Sequence, residues 1–299
     1  MISAEGNGNR KALHFTKPPE RVVSLVPSMT ESLFDLGFGR SIVGITDYCI
    51  HPKEKLGDIP RIGGPKTPRV GDIFELKPDL VIANKEENTC ADVEAMEAKN
   101  LPVWVSFPQS VEQSMEILWI LVELFRSETA ALRLKTLEVA LDWTKLAKET
   151  QHSVRCFCPI WQDHTEGEQT WWMTINRHTY TSDLLKLVGA ENIFADRIRR
   201  YPLMADIGDQ EPEEPGERDT RYPRVNVEEV LAAAPDIILL PDEPYNFDES
   251  AREGMMELLS ETPAVKTDKV ILVEGSLLTW HGTRLDRALR ELPNLLATY

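Results

Sequence analysis

At 299 residues the chain is long enough for a large core and for one to three domains. Its 33 Lys and Arg against 49 Asp and Glu give a net charge of −16, which argues against nucleic acid or an anionic membrane as the main partner. No apolar run is long enough to span a bilayer.

The opening stretch, 1–17, is polar and rich in Gly and Asn, without the apolar centre or cleavage-like site of a secretory leader. Residues 21–26 then read as a short buried strand ended by Pro27. Ser28-Met29-Thr30-Glu31 follows as a capping box, each end satisfying an orphan backbone N–H of the other. The helix it opens closes at Leu36-Gly37, since glycine accepts the left-handed position past a helix end. Residues 42–45 form a second strand. Residues 46–69 are loop, punctuated by Pro52, Pro60, Gly63, Gly64, Pro65 and Pro68. A short helix over 70–76 leads through Pro78-Asp79 into a strand at 80–83, apolar on both faces as a parallel sheet requires. A helix near 90–99 and a strand at 102–105 complete this half.

Neither Gly nor Pro occurs between Gln109 and Cys158. Val111, Met115, Leu118, Val122 and Phe125, then Leu132, Val139, Trp143 and Ala147, recur at helical spacing. Ser110 with Gln113 reads as a capping box, and Arg126-Ser127-Glu128 offers a second start. Two helices are expected, the second over 127–150 and about 35 Å long.

After that stretch the first pattern returns. A strand is expected at 154–158, a helix at 182–188 ending at Gly189, and a strand at 192–194. The segment from Phe74 to Ile82, with Pro78-Asp79 at its centre, aligns with Leu231 to Leu239 and Pro235-Asp236. A strand at 269–273 and a helix at 284–296 close the chain. Residues 206–221 read as an acidic, mobile surface loop without a site. Cys49, Cys90, Cys156 and Cys158 lack metal-ligand spacing and read as reduced, mostly buried thiols.

The expected fold is α/β: two βαβ lobes, joined by a single long backbone helix, facing a cleft beyond the carboxyl ends of their strands. The boundaries are a flexible N-terminus at 1–19, an N-terminal lobe at 20–108, a helical linker at 109–152 and a C-terminal lobe at 153–299. The first lobe's loops supply Tyr48, Lys66 and Lys85. The second lobe's supply Trp161, Trp172, Arg177, His178, Tyr245, Trp280, His281 and Arg284. Aromatic rings suit a large planar ligand, and Arg and Lys suit carboxylates or phosphate at its rim. A loop tryptophan either packs over the end of a sheet or meets a ligand, and the sequence leaves both open. His178 and His281 are the candidate metal ligands among six histidines. Walker, G-x-S-x-G, H-E-x-x-H and G-x-G-x-x-G signatures are missing. Ser28 and Thr30 read as caps, not as a nucleophile.

The stretch Arg21-Val22-Val23-Ser24-Leu25-Val26-Pro27-Ser28-Met29-Thr30-Glu31 carries a further likeness, together with Leu36-Gly37, Ile42-Val43-Gly44, Leu76-Lys77-Pro78-Asp79-Leu80-Val81-Ile82 and Gly189-Ala190-Glu191-Asn192-Ile193-Phe194. These motifs resemble those of the helical-backbone metal receptors, the substrate-binding proteins of ABC importers for cobalamin and iron–siderophores, nearest the cobalamin branch. The resemblance implies the class III periplasmic-binding-protein fold, with two Rossmann-like lobes. It implies a non-catalytic binder requiring no cofactor, with a metal-bearing ligand, cobalamin or another corrinoid first and a ferric siderophore or haem second. It places Tyr48, Lys66, Lys85, Trp161 or Trp172, and Trp280 in the ligand loops. It implies an ABC permease as partner, met by acidic residues near Asp72 and Glu228. Such a protein is periplasmic once a leader is removed; without one it is cytoplasmic. The rival readings are a cytosolic, chelatase-like enzyme of tetrapyrrole or corrinoid handling, and an interaction module that has lost its ligand.

Overall fold

The computed structural model describes residues 2–4, 13–149 and 152–296. The chain divides into two compact units. One is Met1–Ala140 with Trp280–Asp286, and the other is Leu141–Thr279 with Arg287–Tyr299. The segment 280–286, expected in the second lobe, therefore packs with the first unit.

In the first unit a parallel sheet has the order Ile42–Ile45, Val22–Ser24, Leu80–Asn84, Val103–Ser106. Its strands are short apolar runs buried on both faces, and Val23, Leu25, Ile73, Val81 and Met96 form the centre of the core. Pro27–Asp35 is a helix, but Ser28 does not cap it. Val26 holds the cap position and Pro27 is the first helical residue, where its missing N–H costs nothing and its fixed φ favours the helix. Gly37 takes φ 91° just past the end, as expected. At the chain start, expected to be flexible, Ile2–Ala4 pairs antiparallel with Leu13–Phe15, while residues 5–12 lie outside the described part.

The helical stretch breaks where the sequence placed the break. Val111–Phe125 ends at Arg126 in the left-handed conformation, φ 52°, and Glu128–Lys148 begins beyond Ser127. Ser110 caps by accepting from the N–H of Gln113 at 3.2 Å. The box is not reciprocal, because the Gln113 side chain accepts instead from the N–H of Gln109 at 2.8 Å. The expected end at Thr150 lies outside the described residues. Of the positions read at helical spacing, Leu132, Val139, Trp143 and Ala147 are exposed, and Ala130, Leu134, Leu137 and Leu141 are the buried ones.

The second unit repeats the sheet in the order Ala190–Asn192, Val154–Phe157, Ile237–Pro241, Val270–Val273, again parallel. Phe157, Trp172, Val225, Ile238 and Leu240 anchor its core. The Pro-Asp echo is a physical repeat. Lys77 and Ala234 both end a helix in the left-handed conformation, at φ 47° and 46°. Asp79 accepts from the N–H groups of Glu20 and Arg21, and Asp236 from that of Arg155. The guanidinium of Arg21 donates to the carbonyls of Leu76 and Lys77, and that of Arg155 to the carbonyl of Ala233.

The stretch 206–221 is a mostly exposed surface loop beyond Asp206, and bonds tie down its two ends. Asp206 is fully buried, pairs with Arg197 at 3.1 Å, and accepts from the N–H groups of Arg200 and Arg224. The Tyr201 ring lies between the guanidinium groups of Arg199 and Arg218, at 4.3 and 4.2 Å, and its hydroxyl donates to the Asp219 carbonyl.

Candidate functional site

In each sheet the first strand lies between the second and the third. The connections on its two sides therefore leave in opposite directions, opening a crevice at the carboxyl ends, where ligands of open α/β sheets bind.

In the first unit that edge is built by loops tied to one another. Strand Leu80–Asn84 delivers Asn84, whose N–H donates to the Asn88 side chain at 2.7 Å. The Asn88 amide donates in turn to the Pro65 carbonyl at 3.0 Å. Lys66 donates to the Glu86 carbonyl, and Lys85 lies 4.9 Å from the centre of the Phe107 ring. Gly63 turns the chain at φ 93°, and a Cβ there would stand 2.7 Å from the Thr67 carbonyl oxygen, while one on Gly64 would meet the Tyr48 ring at 3.5 Å. Tyr48, Lys66 and Lys85 are all exposed at this edge. Arg61 holds the base of the Tyr48 loop, donating to the Thr46 and Cys49 carbonyls at 2.7 and 2.8 Å. Sequence reasoning passed over Arg61 and Asn88, because a bond to a backbone carbonyl leaves no spacing pattern.

The segment 280–286 is fixed in this unit by close approach. A Cβ on Gly282 would lie 2.3 Å from the Ser32 hydroxyl. The Gly282 N–H donates to Ser114 at 2.8 Å, and the Thr283 hydroxyl to Asp35 at 2.7 Å. Arg284 is not a solvent-facing rim cation. It is buried and grips Glu31 with two bonds of 2.8 and 2.6 Å. Trp280 is held between the Arg284 guanidinium, 5.1 Å away, and the His51 ring at 5.7 Å. His281 is buried with its Nε2 3.4 Å from the Asn84 amide nitrogen, and burial lowers its pKa to about 4. It is neutral at pH 7.

In the second unit the expected tryptophan loop is an antiparallel ribbon. Pro159–His164 pairs with Thr170–Thr174, which pairs with Arg224–Asn226. The ribbon separates its tryptophans by the alternation of strand side chains. Trp172 is completely buried, with its indole N–H on Gln162 at 2.9 Å, so it is a core residue and not a surface one. Trp161 is 41% exposed and stands edge-on to Tyr245 with ring centres 5.4 Å apart. Tyr245 leans on Phe247. This stack lies beyond Val154–Phe157 and Ile237–Pro241, the two strands flanking the crevice of that sheet. Arg177 is exposed and ion-paired with Asp196, and beside it His178 is exposed, its backbone N–H on the Asn176 side chain.

Asp72 and Glu228 are exposed or partly exposed in the first turns of Val70–Glu75 and Val227–Ala233, the two helices that precede the Pro-Asp echoes. Asp72 is paired with Arg69 at 2.6 Å. The second helix carries a complete capping box between Asn226 and Glu229, which the sequence reading missed. Among the described residues no group of three or more His, Cys, Asp or Glu is placed to hold a metal ion, and no helix is long and apolar enough to cross a membrane. Cys49, Cys156 and Cys158 are buried and Cys90 is exposed.

The family described as Periplasmic binding protein matches residues 22–277. The chain is 22% identical to a Vitamin B12-binding protein of Vibrio parahaemolyticus, over 85% of this chain and 81% of the relative. It is 26% identical to an uncharacterized ABC transporter substrate-binding lipoprotein, YvrC, of Bacillus subtilis, over 92% and 79%. Its fold is that of the solved periplasmic heme-binding protein RhuT from Roseiflexus sp. RS-1, with a TM-score of 0.70 at 20% identity, covering 92% of this chain and 97% of that one.

Proposed function

The chain belongs to the periplasmic binding protein family, and on that premise we propose that it is the substrate-binding component of an ABC importer for a metal-bearing macrocycle or chelate. A corrinoid is the first ligand, and haem or a ferric siderophore the second. The observation that carries this reading is the Trp161–Tyr245 pair. It is an aromatic surface at the crevice of a parallel sheet, with Trp161 41% exposed and edge-on to the half-buried Tyr245. Such a surface gains by covering an apolar macrocycle face while its polar edges stay wet. In the same unit Arg177 is an exposed cation that suits the carboxylate, phosphate or amide periphery of such a ligand. At the corresponding edge of the first unit, exposed Tyr48, Lys66 and Lys85 and the firmly held Trp280 offer the same chemistry. The metal arrives inside its chelate, so the protein offers at most a single axial nitrogen. Exposed His178 suits that role better than His281, which lies among buried neighbours.

Asp72 and Glu228 occupy equivalent helices of the two units, which fits paired contacts to a two-fold permease. The relatives' printed names, a lipoprotein and periplasmic proteins, support a location outside the cytoplasm. Absorbance and calorimetric titration with aquocobalamin, haemin and a ferric siderophore tests the reading. One-to-one binding of one of them is expected, weakened about tenfold or more in Trp161→Ala. No binding of any of the three, or binding indifferent to Trp161, would overturn it.

A further inference from the structure

Helix Glu128–Lys148 has apolar stripes on opposite sides. Ala130, Leu134, Leu137 and Leu141 are buried. Leu132, Val139, Trp143 and Leu146 are 66, 55, 69 and 55% exposed. With Thr136 these outer positions step along the helix by 4, 3, 4 and 3 residues. At 100° per residue they stay within about 80° of arc, directly opposite the buried set. That spacing is the heptad seam by which one helix packs against another. Scattered exposed apolar residues need no explanation, but an aligned stripe about 21 Å long does. Thr136 does not spoil it. Its hydroxyl donates to the Leu132 carbonyl at 3.2 Å, so it can be dried without leaving an orphan.

The charges beside the stripe say what covers it. Lys135 and Asp142 lie on the same flank, one on each side of Val139, and carry opposite signs. Lys135 makes no ion pair among the described residues, and Asp142 reaches Lys145 only at 3.9 Å. A surface of this kind complements itself under a two-fold axis through Val139. We propose that Leu132, Val139, Trp143 and Leu146 form the seam through which two copies of this chain pair, antiparallel, with Lys135 of each helix facing Asp142 of the partner subunit. In that register Leu132 meets Leu146 of the partner subunit, Val139 meets its own copy, and large Trp143 fills the space over small Thr136. A parallel pair would crowd Trp143 against Trp143 and leave Lys135 beside Ala140. Ala140 and Ala147 on the other flank allow close approach. The stripe is smaller than a standard stable interface, which places the dimer in the micromolar range or weaker.

Sedimentation equilibrium of the full chain from about 1 μM to about 1 mM tests this. The expected result is a weight-average mass rising from the monomer towards twice that value. Trp143→Glu should raise the dissociation constant at least tenfold. Lys135→Glu or Asp142→Lys alone should weaken the dimer severalfold, and the two together should restore it. Unchanged thermal unfolding by circular dichroism would show that each variant is folded. A monomer throughout the range, a dimer insensitive to Trp143→Glu, or a double variant as weak as the singles would overturn the proposal. So would Trp143-dependent adhesion to phosphatidylcholine–phosphatidylglycerol vesicles without self-association, which would assign the stripe to a lipid surface.

Discussion

The two units share a frame and differ at its working end. Both have the same parallel strand order. In both, an arginine at the start of the first strand holds the carbonyls at the end of a helix, while the aspartate of the Pro-Asp turn accepts from the backbone beside that arginine. All of this lies at the amino ends of the strands. At the carboxyl ends the units part company. After the first strand of the first unit, Pro27 turns the chain at once into a helix. After that of the second, the chain makes an antiparallel ribbon that lifts Trp161 into solvent. The lesson is a division of labour. One end of each sheet repeats the bonds that hold helix to strand, and the other is free to vary because only loops depend on it.

Each unit also buries an arginine against a carboxylate, and these pairs are the strongest test of how alike the frames are. Glu31→Gln removes the charge from the carboxylate that grips the buried Arg284 guanidinium and should cost about 3–5 kcal/mol. Asp206→Asn should cost less, about 2 kcal/mol, because Arg197 keeps Glu229 at 3.0 Å. Urea unfolding followed by circular dichroism measures both, and equal losses would show that Glu229 offers no compensation.

A histidine separates the units more finely: the first buries His281, while the second exposes His178. Burial holds the His281 pKa at about 4, below its ordinary 6.5. Between those values the unfolded chain takes up a proton that the folded chain refuses. Stability therefore falls as pH drops through this window, by about 3 kcal/mol when the whole shift is crossed. His281→Gln should remove that slope, so the free-energy difference between variant and parent should move in the variant's favour from pH 7 to pH 4. A difference independent of pH would mean that His281 protonates freely in the fold.

The smallest expected contrast lies in the repeated turn. Asp79 accepts two backbone N–H bonds at 2.8 and 2.9 Å, and Asp236 one at 3.1 Å. Asp79→Ala should cost about 2 kcal/mol and Asp236→Ala about 1 kcal/mol. A reversed order in the same unfolding measurement would break the equivalence of the two turns.

Much of the frame was legible because its signals are local. Proline before aspartate, glycine after a helix and short apolar runs between them mark the strands and helix ends whatever surrounds them. The sequence also singled out Trp161 and Tyr245 by residue type. It could not separate Trp161 from Trp172, since both sit on the ribbon and only pairing with Thr170–Thr174 and Arg224–Asn226 decides which ring is buried. Nor could it separate the capping box at Asn226, which forms, from the one at Ser28, which Pro27 pre-empts.

By itself, then, the sequence determined the α/β repeat, the break at Arg126 and the Pro-Asp turns, because each depends on the conformational preference of a few adjacent residues. The tertiary structure alone decided which side of helix Glu128–Lys148 is core, and that residues 280–286 join the first unit. Leu132 and Leu134 have the same propensity and the same hydrophobicity. What buries one and exposes the other is the surface that meets the helix. Gly282, likewise, is fixed by Ser32 and Ser114, far from it in the chain.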